Sequence, residues 1–330
     1  MTGVKPMRRR IFLCTLGIIL LPAVSIAYAQ QARVHRVGVI MQGGPYYEAI
    51  DGLREGLRKL GLQENKDFVL KIRDAKGDLK VAEESAKELE LEKVDLIYTV
   101  ATSVTKAVKQ ATTNTPIVFY AGNDPVSLGL VESFAHPGGR LTGVHFRVGD
   151  LTGKRLEILK EIYPKLHRVV TFYDPTSSVS QEAAKFARDA AKQMGIQLLE
   201  RHVASVQELR SALGALKKGE VDAYAYTSDA MVGSQAQLII DTAKTKGFAT
   251  MYHEGGLVTD GALASYGISY YEVGLTSAKY VQRLLAGTKP KDLPVETVDK
   301  IELVINLKTA KQIGLTIPQR VLTRSDKVVR

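Results

Sequence analysis

The sequence predicts an α/β protein of two similar lobes, each a parallel sheet covered by helices on both faces, joined by a multi-strand hinge. Three observations predict it. Short apolar, β-branched runs alternate with amphipathic helical stretches along nearly the whole chain. The alternation stops at a Pro/Gly-rich break, "AHPGGRLTGVHF", and restarts on the same plan. The chain has 330 residues, enough for two domains.

Taken in order, "HRVGVIM" reads as a strand, and "YYEAIDGLREGLRKLGL" as a helix ending at Gly61, a C-cap. "DFVLKIRDA" alternates as a strand, and "DLKVAEESAKELELEKV" is helical. "DLIYTV", "SVTKAVKQATT" and "TPIVFYAG" give strand, helix, strand. After the break, "TGKRLEILKEIYP" is a helix, "RVVTFYD" a strand, and "SQEAAKFARDAAKQMG" a helix. "IQLLERHV", "SVQELRSALGALKKG", "VDAYAYTS", "SQAQLIIDTAKTKG" and "FATMYH" continue as strand, helix, strand, helix, strand. The last stretch holds "GALASYGISY" (β-like), "YYEVGLTSAKYVQRLLAG" (helix), "PVETVDKIELVIN" (extended) and "LKTAKQIGL" (short helix). It is too small to fold alone, so it completes both lobes. The chain is then expected to cross between lobes near residues 141–144, 264–268 and 294–298. This divides it into 30–143 plus 268–293 and 144–267 plus 294–330.

Residues 1–29 read as a secretory signal. A basic "MTGVKPMRRR" precedes an 11-residue apolar run, "IFLCTLGIILL", too short to span a bilayer. Ala27-x-Ala29 offers a cleavage site before Gln30. The signal carries Lys5, Arg8, Arg9 and Arg10, so its removal takes the formal charge from +10 to +6. Cys14, the only cysteine, goes with it. Disulfides, cysteine nucleophiles and thiolate metal sites are thereby excluded. The basic residues form no patch interleaved with aromatics, so nucleic acid is not expected as a partner.

In open parallel sheets, ligands bind beyond the carboxyl ends of strands. Those places are polar here. They hold Gln42, Gly43 and Tyr46 after the first strand, Thr102-Ser103 after "DLIYTV", and Asn123-Asp124 after "PIVFYAG". In the second half they hold Asp174, Ser177 and Ser178, then Ser228-Asp229, then His253-Glu254. Each also has a structural reading as an N-cap or turn residue. As a set they would line a cleft suited to a small ligand with an amine and a carboxylate. Asp124, Asp229 or Glu254 would pair with an ammonium group. The Thr102-Ser103 helix start would receive a carboxylate, and Tyr46, Tyr173, Tyr252 and Tyr270 would cover a ring.

Dinucleotide, P-loop, nucleophile-elbow and zincin motifs are absent, and the six histidines show no ligand spacing. His253-Glu254 is the one acid–base pair at a predicted strand end. No catalytic residue, metal or cofactor is expected.

"YTVATSVTKAVKQATTNTPIVFYAGNDPVSLGLVESFAHPGGRLTGV" followed by "GKRLEILKEIYP" resembles the ABC-transporter substrate-binding protein family that includes tryptophan-binding lipoproteins. The block Gly122 to Val144 carries the resemblance most specifically. "GALASYGISYYEVG" and "AKQIGLTIPQRVLTRSDKVV" support it. Asn123 and Arg140 depart from the family's more usual Ser and Asn, and there is no lipobox cysteine. The resemblance implies a type I periplasmic-binding fold: two Rossmann-like lobes, three crossovers and a ligand in the cleft. It implies a periplasmic, non-enzymatic protein, expected as a monomer, that delivers a small molecule to an ABC permease. Some relatives bind aromatic amino acids. The alternatives are a ligand-sensing protein partnering a membrane receptor and a secreted α/β hydrolase.

Overall fold

The computed structural model describes residues 1–3, 33–146 and 151–330, of which residues 34–330 form one unit. Nearly all of the predicted signal segment lies outside the described residues.

The chain runs β1 (His35–Met41), α1 (Tyr47–Lys59), β2 (Phe68–Asp74), α2 (Leu79–Leu91), β3 (Leu96–Val100), α3 (Thr102–Ala111), β4 (Ile117–Ala121) and β5 (Leu141–His145). It continues through α4 (Thr152–Ile162), β6 (Arg168–Tyr173), α5 (Ser178–Gln193), β7 (Gln197–His202), α6 (Val206–Ala215) and β8 (Ala223–Ala225). Next come α7 (Ala230–Ser234), α8 (Ala236–Lys246), β9 (Ala249–Tyr252), α9 (Gly256–Thr259) and β10 (Ala264–Ile268). The last elements are α10 (Tyr270–Leu285), β11 (Glu296–Thr297), β12 (Ile301–Asn306), α11 (Leu307–Gln312), α12 (Gln319–Arg324) and β13 (Lys327–Val329).

Two sheets result, ordered β11-β5-β4-β3-β1-β2 and β13-β12-β10-β9-β8-β6-β7. The central strands β3, β4 and β5 are buried at every residue. Strands covered on both faces read as such continuous apolar runs, whereas the outer β2 and β7 are part exposed. Helix α1 buries Ala49, Ile50, Leu53 and Leu57 together with Gly52 and Gly56. The glycines let α1 touch α10 through backbone: a Cβ on Gly52 would lie 1.9 Å from Tyr271 O, and one on Gly274 would lie 1.9 Å from Ala49 O.

Three features differ from the sequence expectation. The β10–β12 pair is antiparallel, with Ala264 opposite Ile305, because the chain re-enters the second sheet from the first through only a few residues. Strand β11 pairs with β5, so residues 296–297 join the first sheet rather than the second, and the third passage falls within the expected 294–298. The helices α7, α9 and α12 were not predicted. Four to six residues are too few to show a helical period. Among the described residues, no helix is long and apolar enough to cross a membrane.

Candidate ligand-binding cleft

The carboxyl ends of both sheets face a cleft of about 870 Å³, within the range that holds small-molecule ligands. The first lobe contributes Gln42, Tyr46, Thr102, Ser103, Asn123 and Tyr270 to its lining; the second contributes Asp174, Ser177, Ser178, Ser228 and Asp229. All were predicted from strand ends.

Helix α3 opens onto the cleft through an unusual start. Its N-cap residue is Ala101 at φ 93°, with no side-chain cap. This is backbone that glycine favours and alanine adopts at a cost of about 1–3 kcal/mol. No acceptor among the described residues meets the N–H groups of Thr102, Ser103 and Val104. Around them the side chains are fixed. Thr102 Oγ1 donates to Asn123 Oδ1 at 3.2 Å and accepts from Gly122 N at 3.0 Å. Gln42 Nε2 donates to Ser103 Oγ at 3.1 Å. By contrast α2, α5, α6 and α7 are capped by Asp78, Ser177, Ser205 and Asp229.

Asp229 is 5% exposed, and its carboxylate is occupied. Oδ1 accepts from Val232 N at 3.0 Å. Oδ2 accepts from Asp174 N at 2.8 Å and Ser180 Oγ at 2.9 Å. Burial pushes its carboxyl up, against these hydrogen bonds. Among the described residues that line the cleft, three buried side-chain oxygens have no hydrogen-bond partner: Gln42 Oε1, the Tyr120 hydroxyl and Ser228 Oγ.

Aromatic rings supply the apolar surface. Tyr46 and Tyr270 lie 4.8 Å apart between centroids, and Tyr120 meets Tyr270 edge-on at 5.8 Å. From the second lobe Tyr226 stacks on His253 at 3.9 Å, and His253 Nε2 lies 2.6 Å from the Tyr270 hydroxyl. Burial, then the Arg155 charge, holds His253 well below its ordinary range, so the ring stays neutral. Burial raises all four of the lining tyrosines Tyr46, Tyr120, Tyr226 and Tyr270, so they present neutral hydroxyls.

The predicted Gly43, Asp124 and Glu254 stand outside the lining. Gly43 supplies the turn after β1 at φ 80°. Asp124 closes its own turn: Oδ1 accepts from Val126 N at 2.8 Å and Ser127 N at 3.2 Å, as Asx-Pro sequences favour. Glu254 is 1% exposed, and its Oε2 accepts from Gly256 N at 2.7 Å. Asp124→Ala is therefore expected to cost about 1 kcal/mol of stability through the lost turn bonds. Ligand affinity should stay within about twofold, and calorimetry on both proteins checks it. Tyr173 and Tyr252 are also absent from the lining; Tyr252 donates to Ala236 O at 3.2 Å inside the second lobe.

The prediction missed Tyr120, Tyr226 and Arg155. The two tyrosines sit at or just past the ends of β4 and β8 and line the cleft, so the strand-end rule could have found them. Arg155 is fully buried and donates through Nε to Tyr266 O at 2.8 Å. Burial pushes its guanidinium down to about 10. Its signal was position: Thr152, Arg155, Leu156, Leu159 and Ile162 share one helical face.

The lobes touch across the cleft. A Cβ on Gly44 would lie 2.4 Å from Ser234 O, and one on Gly77 would lie 2.9 Å from Val206 Cγ2. Two Rossmann-like lobes, three passages between them and a polar-and-aromatic cleft define the type I periplasmic-binding fold.

Residues 36–329 match the family model for the ABC transporter substrate binding protein, and the chain belongs to that family, one of binding proteins rather than enzymes. A curated relative, a tyrosine-binding protein of Clostridioides difficile (strain R20291), is 27% identical over 268 residues, 81% of this chain and 77% of its own. The structure is similar to that of a conserved domain protein from Vibrio cholerae, with TM-score 0.79, 28% identity, and 90% of this chain and all of that one covered. It is also similar to an ABC domain from Streptococcus pneumonia in complex with L-Trp, with TM-score 0.77, 23% identity, and 90% and 100% covered. Against a ligand-free, open substrate-binding protein from Clostridium difficile the TM-score is 0.59, at 24% identity with 90% and 99% covered.

Proposed function

We propose that the protein binds an aromatic amino acid, tyrosine or tryptophan, and delivers it in the closed form to the permease of an ABC importer. The observation that carries this reading is the uncapped start of α3, where three N–H groups at a cleft wall lack an acceptor. A ligand carboxylate satisfies them and the helix dipole together. The ammonium group goes to the buried, unpartnered Gln42 Oε1 and Ser228 Oγ, because the carboxylates of Asp124 and Asp229 are already used as caps. Tyr46, Tyr120, Tyr226 and Tyr270 enclose the ring. The names of the tyrosine-binding and L-Trp-bound relatives support the ligand class.

In this reading the chain is exported, cut after Ala29 and active as a monomer outside the inner membrane. Its lobes comprise 34–145 plus 269–298 and 151–268 plus 299–330, and they close by bending at the three passages. A thermal-shift screen over the twenty amino acids tests the ligand, because a molecule that binds only the native state raises the melting temperature. L-tyrosine or L-tryptophan should give the largest shift; a flat response to both would reject the reading. Ser228→Ala should weaken binding about tenfold. It should leave melting of the ligand-free protein unlowered, since the hydroxyl has no partner to lose.

A further inference from the structure

Away from the ligand cleft, two carboxyl groups from opposite lobes meet. Glu48 lies in the first turn of α1, in the first lobe, and Glu254 follows β9 in the second. They converge on the start of α9. A Cβ on Gly256 would lie 1.8 Å from Glu48 Oε1 and 2.9 Å from Glu254 Oε2, so glycine at 256 leaves the space both carboxyls occupy. The two side chains are within hydrogen-bond reach of each other. Glu254 Oε2 also accepts from Gly256 N at 2.7 Å and Leu257 N at 3.3 Å.

We propose that Glu48 and Glu254 form a proton-binding site that exists only when the lobes are closed, so that the protein takes up a proton as it encloses its ligand. With Glu254 buried and Glu48 half-buried against it, the two carboxylates repel while both are ionised; one proton between them turns repulsion into an O–H···O⁻ hydrogen bond. Opening carries the two groups to separate, hydrated positions where each ionises on its own.

The surrounding charges do not replace that proton. Asp51 of α1 and Asp260 after α9 add negative potential at Glu48, and the Lys327 cation of β13 opposes them. At Glu254 the Gly256 and Leu257 N–H groups favour the ionised form. Burial, then Glu48, pushes Glu254 well above the ordinary carboxyl range. Burial likewise raises Glu48.

The sign follows from linkage. The raised pKa belongs to the closed state. Closure is favoured fully below the ordinary carboxyl range that each group has when the two are apart. That advantage disappears as pH rises through the closed-state value. Between the two values, binding takes up close to one proton. Affinity then falls by as much as about tenfold per pH unit.

The inference rests on the closing cleft proposed above. Calorimetric titration with L-tyrosine and with L-tryptophan, in buffers of different ionisation enthalpy, measures the proton count directly. The wild type should take up protons, and its affinity should fall as pH rises. Glu254→Gln keeps the acceptor for Gly256 and offers Glu48 an N–H donor. It should abolish both effects, and Glu48→Gln should do the same should the first variant not fold. Zero uptake in the wild type, or unchanged uptake in either variant, overturns the proposal. If neither amino acid binds, the ligand reading has failed on its own. The carboxyl pair is then judged by scattering from the ligand-free protein. Its radius of gyration should shrink from pH 8 to pH 5 in the wild type and not in Glu254→Gln. Identical pH behaviour of the two proteins overturns it.

Discussion

Gly44→Ala is expected to weaken binding of L-tyrosine or L-tryptophan by about tenfold to hundredfold. The added methyl would lie 2.4 Å from Ser234 O, 3.0 Å from Ser234 C and 3.0 Å from Ser234 Cα. Those atoms are backbone and cannot rotate away. Over-packing of this kind costs about 1–3 kcal/mol, and here the cost falls only on the closed state. The apparent affinity drops by the factor that closure loses. Gly44 also has φ 59°, so alanine strains the backbone in both states by about 1 kcal/mol. Gly61→Ala separates the two effects. Gly61 has φ 85° and nothing within 4 Å of the added carbon. It should lower stability by a similar amount and leave affinity alone. Equal affinities for the two variants would mean that the Gly44–Ser234 contact does not govern closure.

Asp229→Ala should destabilise the second lobe by about 3 kcal/mol. It strips the acceptor from Val232 N, Asp174 N and Ser180 Oγ at once. Losing a buried partner costs about 1–3 kcal/mol per orphaned group, and a lost N-cap alone costs about 1 kcal/mol. Removing a carboxylate whose burial is unfavourable offsets part of this. For a chain of this size the melting temperature should fall by about 5 °C. A fall of under 1 °C by calorimetry would show that the carboxylate is not what holds these segments together.

Asp124 and Asp229 also show where the sequence stops speaking. Both are acids just past an apolar strand. Pro125 keeps the chain turning beside Asp124, whose Oδ1 accepts from the next two N–H groups. Asp229 precedes a helix of five residues, too short to read, and reaches across to the turn after β6. Their difference lies in contacts between segments, which local pattern does not encode. The strands were legible because burial on two faces demands unbroken apolar runs, as in "LIYTV" and "IVFYA". The direction of β12 was not, because "IELVIN" buries the same faces either way and the connection decides. Arg155 was hidden by its type, since a long cation in a helix is ordinarily solvated, although its position on the apolar face marked it.

The backbone contact between α1 and α10 bears on how the molecule is made. The two helices belong to one lobe but are separated in sequence by the whole first course of the other. Each presses glycine against the other's carbonyl, so the first lobe's packing is incomplete until residues 270–285 arrive. Such long-range closure slows folding. A chain emerging from its N-terminus must therefore thread most of the second lobe before the first can finish. Neither lobe, cut out as a contiguous fragment, should fold independently, and heat should melt the pair in one cooperative step.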